Sequence, residues 1–190
     1  MLNLLHYLFV KAFENTNNMG IEIERKFLLE NDDWKNLVLK STVFKQGYLV
    51  SGNNSNDQNL GGQNLDKSKS SVRVRVEGDS ANINIKSMTL SITRQEYEYS
   101  IPLDDALKML DELCEQPLVE KTRHIVEYDN HKWEIDVFSG ENEGLVVAEI
   151  ELNNEAEKFS MPSWVGQEVS EQVKYYNVNL IQNPYSSWNK

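Results

Sequence analysis

Charged residues recur at every second position in several short stretches of this chain, and their types suit the handling of anions and cations. Glu22, Glu24 and Lys26 share one face of an extended segment, since residues two apart in a strand point the same way. Arg73 and Arg75 share another such face, opposite Val72, Val74 and Val76. Asn82, Asn84 and Lys86 oppose Ile83 and Ile85. Arg94, Glu96 and Glu98 oppose Tyr97, Tyr99 and Ile101. Glu134 and Asp136 oppose Trp133, Ile135 and Val137, and Glu149 and Glu151 oppose Ala148, Ile150 and Leu152. A merely solvated sheet face tolerates any polar residue, yet these rows are almost wholly ionic. They are also segregated. Arg73, Arg75 and Lys86 form a cationic run, and Glu134, Asp136, Glu149 and Glu151 an acidic one. Like charges on neighbouring strands repel, so a bound ligand is the natural offset. Arginine donates two parallel hydrogen bonds to phosphate. Carboxylates suit Mg²⁺ or Mn²⁺, and Mg²⁺ is commonly shared between one or two carboxylates and substrate phosphates.

Strands must carry these rows. The alternation predicts eight, over 21–29, 42–50, 71–77, 82–88, 91–101, 118–128, 132–138 and 145–152. Helices are expected over 32–40, over 104–114 behind a cap at Asp104, and over 170–181 behind a cap at Ser170 and before Pro184. The second of these has Leu103, Leu107, Leu110 and Leu113 as its apolar face. Residues 51–70, rich in Asn, Gly, Ser and Gln, read as a mobile loop. If the strands close with their charges inward, helices must cover the apolar exterior. From the residues alone the expectation is a mainly β, α+β chain whose antiparallel strands could close around a charged lumen behind a few outer helices.

The 190 residues give room for one domain, here 19–190. Residues 1–18 read as a leader or extension without an assigned role, because Met19 directly precedes the first strong strand. A formal net charge of −11 argues against a nucleic-acid partner. No stretch reaches the ~20 apolar residues of a membrane span. Cys114 is the single cysteine, so no internal disulfide is available. Its neighbours Leu110 and Leu113 mark it as a core residue. With no targeting signal, a cytoplasmic location is expected. His6, His124 and His131 are isolated, and no Ser–His pair or histidine metal cluster competes with the ionic rows. A homodimer stays open.

The ordered set of motifs resembles the triphosphate tunnel metalloenzymes, or CYTH superfamily, and in particular its short bacterial inorganic tripolyphosphatases. Glu22-Ile23-Glu24-Arg25-Lys26 fits the family's ExExK motif. Gln46-Gly47-Tyr48-Leu49, Arg73-x-Arg75, Lys86, Glu96-x-Glu98, Lys121-x-Arg123 and the Trp133–Phe138 and Ala148–Leu152 segments follow in the family's order. Tyr175-Tyr176-Asn177 in the tail fits as well. The resemblance covers about 20–186 and implies an eight-stranded antiparallel β-barrel, an open or half-closed tunnel with a charged lumen and a few outer helices. It implies that Lys26, Arg73, Arg75, Lys86 and Arg123 bind phosphate oxygens, and that Glu22, Glu24, Asp136, Glu149 and Glu151 hold one or two Mg²⁺ or Mn²⁺ ions. Lys174 is a further candidate for substrate binding: it stands where relatives often carry a basic residue in the C-terminal helix near one tunnel mouth, and lysine departs from the arginine common in short bacterial members. Glu22, Glu24 and Lys26 are the candidate catalytic group. Metal-assisted hydrolysis of tripolyphosphate is the implied activity. Thiamine triphosphate hydrolysis, cyclic-AMP formation from ATP and a non-catalytic polyphosphate-binding module are the alternatives.

Overall fold

The computed structural model describes residues 20–50, 70–87 and 91–188. The loop expected over 51–70 and the extension over 1–18 therefore lie outside the described residues, apart from Ser70, which begins a strand. The strands are β1 Ile21–Leu29, β2 Val38–Val50, β3 Ser70–Glu77, β4 Ser80–Ser87, β5 Thr93–Ser100, β6 Val119–Tyr128, β7 His131–Ser139, β8 Val146–Glu151 and β9 Val165–Glu168. They form one antiparallel sheet in the order β5-β4-β3-β2-β6-β7-β8-β1-β9. Pairing of Ile21, Glu22 and Ile23 with Gln95, Arg94 and Thr93 joins β1 to β5 and closes the first eight strands into a barrel. The same edge of β1 pairs with β9 further along, through Phe27 and Leu29.

The alternation decides which side is which. The apolar faces point outward and are covered over β1, β7 and β8 and over β3 and β4, whereas Tyr97 and Tyr99 on β5 and Val43 on β2 stay exposed. Ile23, Phe27, Trp133, Ile135, Ala148 and Ile150 lie under Trp34, Phe159 and Trp164. Trp34 belongs to a 3-10 turn, Asp33–Leu37, where a helix over 32–40 was expected. The strand β2 begins at Val38 because that stretch pairs with β6 instead. Helix α1, Leu103–Glu112, covers Val74 and Ala81 with Ala106 and Leu110. Its buried face is Leu103, Ala106 and Leu110; Leu107 is 47% exposed and Leu113, beyond the last helical turn, is 64% exposed. Pro102 rather than Asp104 precedes the helix, and Asp104 and Asp105 sit in its first turn, where acids complement the dipole. Cys114 packs in this cluster, as expected for a core residue.

The C-terminal helix expected over 170–181 is replaced by a 3-10 turn, Val173–Tyr175, and a short helix α2, Asn179–Gln182. Ser170 does not cap it. Its hydroxyl accepts from the Lys26 backbone N–H at 2.9 Å and donates to Glu168 at 2.7 Å, so β1 takes the group a cap would need. This segment buries Tyr175, Val178, Leu180 and Ile181 against Tyr48, Val119, Phe138 and Val147. By strand alternation those last four are interior positions, so one end of the barrel is filled by apolar side chains and the ionic rows occupy the rest. Among the described residues, no helix is long and apolar enough to cross a membrane.

Candidate active site in the barrel interior

Interior acids and bases alternate in a chain of ion pairs from Asp136 to Arg73, and a separate Arg75–Glu98 pair joins it through the Asn84 carboxamide. At its deepest point Asp136, with no exposed surface, accepts from Lys121 and from Arg123 at 2.6 and 2.7 Å. Arg123 also reaches Glu149 at 2.6 Å and Glu134. Glu149 accepts from Lys26, which donates in turn to Glu24. Arg94 lies 3.2 Å from both Glu24 and Glu22. Lys86 binds Glu22 at 2.8 Å and Glu96 at 3.1 Å. Arg73 stands 3.8 Å from Glu96, and Arg75 is 2.8 Å from Glu98. The strand register produces this order. Lys26 faces Glu149 across β1 and β8, and Arg123 faces Asp136 across β6 and β7.

The balance of burial against charge differs along the chain of pairs. Burial alone would raise Glu149, but Lys26, Arg123 and Lys121 hold its carboxyl well below the ordinary carboxylate range. Glu151 is the opposite case. Partial burial, then the carboxylates of Glu22, Glu134 and Glu24, push it above its ordinary value. Among the described residues Glu151 has no ion-pair partner within 4.0 Å; it faces Glu24 across the strands at the exposed rim. This acidic rim is where a cation relieves repulsion most. No three His, Cys, Asp or Glu side chains among the described residues converge as a preformed metal cage. The donor set nevertheless fits a hard divalent ion held by one or two carboxylates, with its shell completed from outside the protein. Asp136, expected as a metal ligand, pairs with Lys121 and Arg123.

Nine of the expected site residues, Glu22, Glu24, Lys26, Arg73, Arg75, Lys86, Arg123, Asp136 and Glu149, lie in this network, and Glu151 stands at its rim. Lys174 is not brought to it. The side chain is exposed on the 3-10 turn, 5.0 Å from the Tyr175 ring and 4.7 Å from that of Trp188. Losing the helix puts it on the outside of the apolar-filled end. Arg25, on the outer face of β1, pairs with Glu168.

Several interior residues are not in the expected set. Arg94 bridges two candidate carboxylates, and its shared parity with Glu96 and Glu98 was the signal. Lys121 is 3% exposed, and its ammonium is pushed down to about 8 by burial and by Arg123. Phe44, on β2, has Arg123, Arg75 and Lys121 at 5.3, 5.5 and 5.9 Å from its ring centre. Tyr48, on the same row, lies buried beside Arg73. Nothing in residue type alone marks Phe44 or Tyr48 as part of an ionic interior.

The fold and its ionic interior have a known class. The chain belongs to the CYTH domain family, whose sequence model matches residues 20–185. CYTH triphosphatases are generally dependent on divalent metal. A protein of Acetivibrio thermocellus named inorganic triphosphatase is 42% identical over 170 residues, covering 90% of this chain and 99% of that protein. An inorganic triphosphatase of Nitrosomonas europaea is 33% identical over 162 residues, covering 84% and 95%. The crystal structure of an inorganic triphosphatase superposes with a TM-score of 0.58 at 31% identity, covering 84% of this chain and 93% of that one.

Proposed function

We propose that this chain hydrolyses inorganic tripolyphosphate to pyrophosphate and phosphate with a divalent ion, Mg²⁺ or Mn²⁺. The observation that carries the reading is the two-signed interior: a cationic wall on β3, β4 and β6 faces an acidic one on β1 and β8. Both relatives named above are inorganic triphosphatases.

Arg73, Arg75, Lys86 and Arg123 hold phosphoryl oxygens. Arg123 reaches them only by exchanging some of its present bonds, and Asp136 keeps it and Lys121 oriented inward. Lys26 sits between Glu24 and Glu149, and its proton is held firmly. Burial favours losing that proton, but the two carboxylates outweigh it and raise the group above its ordinary value. It therefore works as a fixed positive charge for the phosphoryl group as the bond breaks. Glu22, Glu24, Glu149 and Glu151 hold the divalent ion. When bound, that ion neutralises charge on the triphosphate and acidifies water. The apolar filling of one end keeps bulk water out of the deep part of the interior and strengthens every charge interaction there.

The test is release of phosphate from tripolyphosphate with Mg²⁺ and with Mn²⁺, with ATP and thiamine triphosphate run alongside. Glu24→Gln is expected to lower release roughly 100-fold or more, while tripolyphosphate affinity is kept or increased. Tight binding without turnover in the wild-type protein would establish a binding module instead.

A further inference from the structure

On β2 the interior row is Thr42, Phe44, Gln46 and Tyr48, neutral side chains between two cationic strands. Gln46 is wholly buried, and neither its Nε2 nor its Oε1 has a hydrogen-bond partner among the described residues. Leaving both ends of a carboxamide unpaired costs about 1–3 kcal/mol per group, so a methionine or leucine would fill this space more favourably. Gln46 stands directly opposite Arg75 across the β2–β3 ladder, and Tyr48 stands opposite Arg73. The Nε atoms of Arg73 and Arg75 are also buried and, among the described residues, without hydrogen-bond partners. Burial, then the positive charge of Arg73, disfavours the charge on Arg75. Three unpaired donors thus lie on adjacent interior positions of two neighbouring strands, and two belong to cations that repel each other.

We propose that the Gln46 carboxamide is a substrate ligand, donating from Nε2 to a phosphoryl oxygen that Arg75 also holds. A neutral donor suits the position. A third cation would add to the repulsion between Arg73 and Arg75, and a carboxylate would neutralise them and repel phosphate. The carboxamide adds a hydrogen bond to the anion without changing the charge of the wall. This rests on the reading of the interior as a triphosphate site.

Gln46→Met removes both polar atoms at nearly constant volume. Calorimetry with tripolyphosphate and chelated metal is expected to show about tenfold weaker binding, or about 1.4 kcal/mol, with the unliganded melting temperature unchanged or raised. Unchanged affinity, with or without a lowered melting temperature, would overturn the proposal. Gln46→Glu keeps the shape, exchanges donor for acceptor and should bind more weakly than Gln46→Met. Wild-type affinity in this variant would equally overturn it, should the methionine protein not fold. Absence of tripolyphosphate binding by the wild-type protein, chelated or with Mg²⁺, would instead remove the functional reading on which this one rests.

Discussion

Lys26 and Lys121 are 5% and 3% exposed in the same interior, yet burial has opposite outcomes for them. Lys26 lies between the carboxylates of Glu149 and Glu24, which outweigh desolvation. Lys121 shares Asp136 with Arg123, and burial together with the repulsion of that guanidinium wins. Position within the ion-pair chain, not depth, sets the proton affinity. The same logic gives Phe44 its value. An aromatic face attracts the three cations around it by roughly 0.5–2 kcal/mol each, without supplying an acceptor that competes with phosphate. Phe44→Leu is expected to weaken tripolyphosphate binding roughly three- to tenfold, read by calorimetry. An affinity equal to wild type would mean the ring is only filler.

Two contacts between elements can be tested separately from the interior. At Gly47 an added Cβ would come within 2.7 Å of Cys114 Cβ and of Leu118 Cδ2, so β2 lies directly against the turn after α1. Gly47→Ala should destabilise the protein by about 1–3 kcal/mol, seen in urea denaturation. At the other side of the barrel, Arg25 binds Glu168 and joins β9 to β1. The hydrogen bond from Arg25 holds the Glu168 carboxyl below its ordinary value. The folded state therefore favours the carboxylate. The contribution is complete above the unfolded value of about 4.3 and is lost as pH falls through the lower folded value. Both side chains are about a third exposed, so it is worth no more than about 1 kcal/mol. Glu168→Gln should lower stability by that amount near neutral pH. Its melting temperature should then converge on that of wild type in acid. A constant difference between the two proteins down to pH 3 would contradict the assignment.

At the scale of the molecule, a net charge of −11 surrounds an interior that must accept a polyanion. Local pairing reconciles the two: among the described residues, each interior acid except Glu151 is already matched by a base. A divalent ion at the acidic rim should stabilise the folded chain, by about 2.7 kcal/mol at a hundredfold excess over its Kd. Glu151→Gln should leave the metal-free melting temperature unchanged or higher, because it removes repulsion with Glu22, Glu134 and Glu24. It should also shrink the increment that Mg²⁺ adds. An undiminished increment would place the ion elsewhere.

Much of this was legible in the chain itself. A strand period of two is local, so the alternation assigns Glu22, Glu24 and Lys26, or Arg73 and Arg75, to a common face without knowledge of any partner. The eight barrel strands follow from that rule; their closure with the charges inward was implied by the family resemblance and not by the alternation. Strand β9 did not follow from the rule, because Val165–Glu168 is only four residues long and shows no lasting alternation. Pairing could not be read either. Register and closure across β1 and β5 decide that Lys26 meets Glu149, that Arg94 spans Glu22 and Glu24, and that Glu151 has no base beside it among the described residues. The C-terminal segment shows the same division. Its residues allow a helix, but β1 takes the Ser170 hydroxyl and the apolar end of the barrel takes Tyr175, Val178 and Leu180. Lys174 is thereby turned outward. The sequence by itself determined the faces, because side-chain direction along a strand is set by the backbone. Only the tertiary structure decided the partners, because contact between distant charges depends on how the strands are aligned and closed.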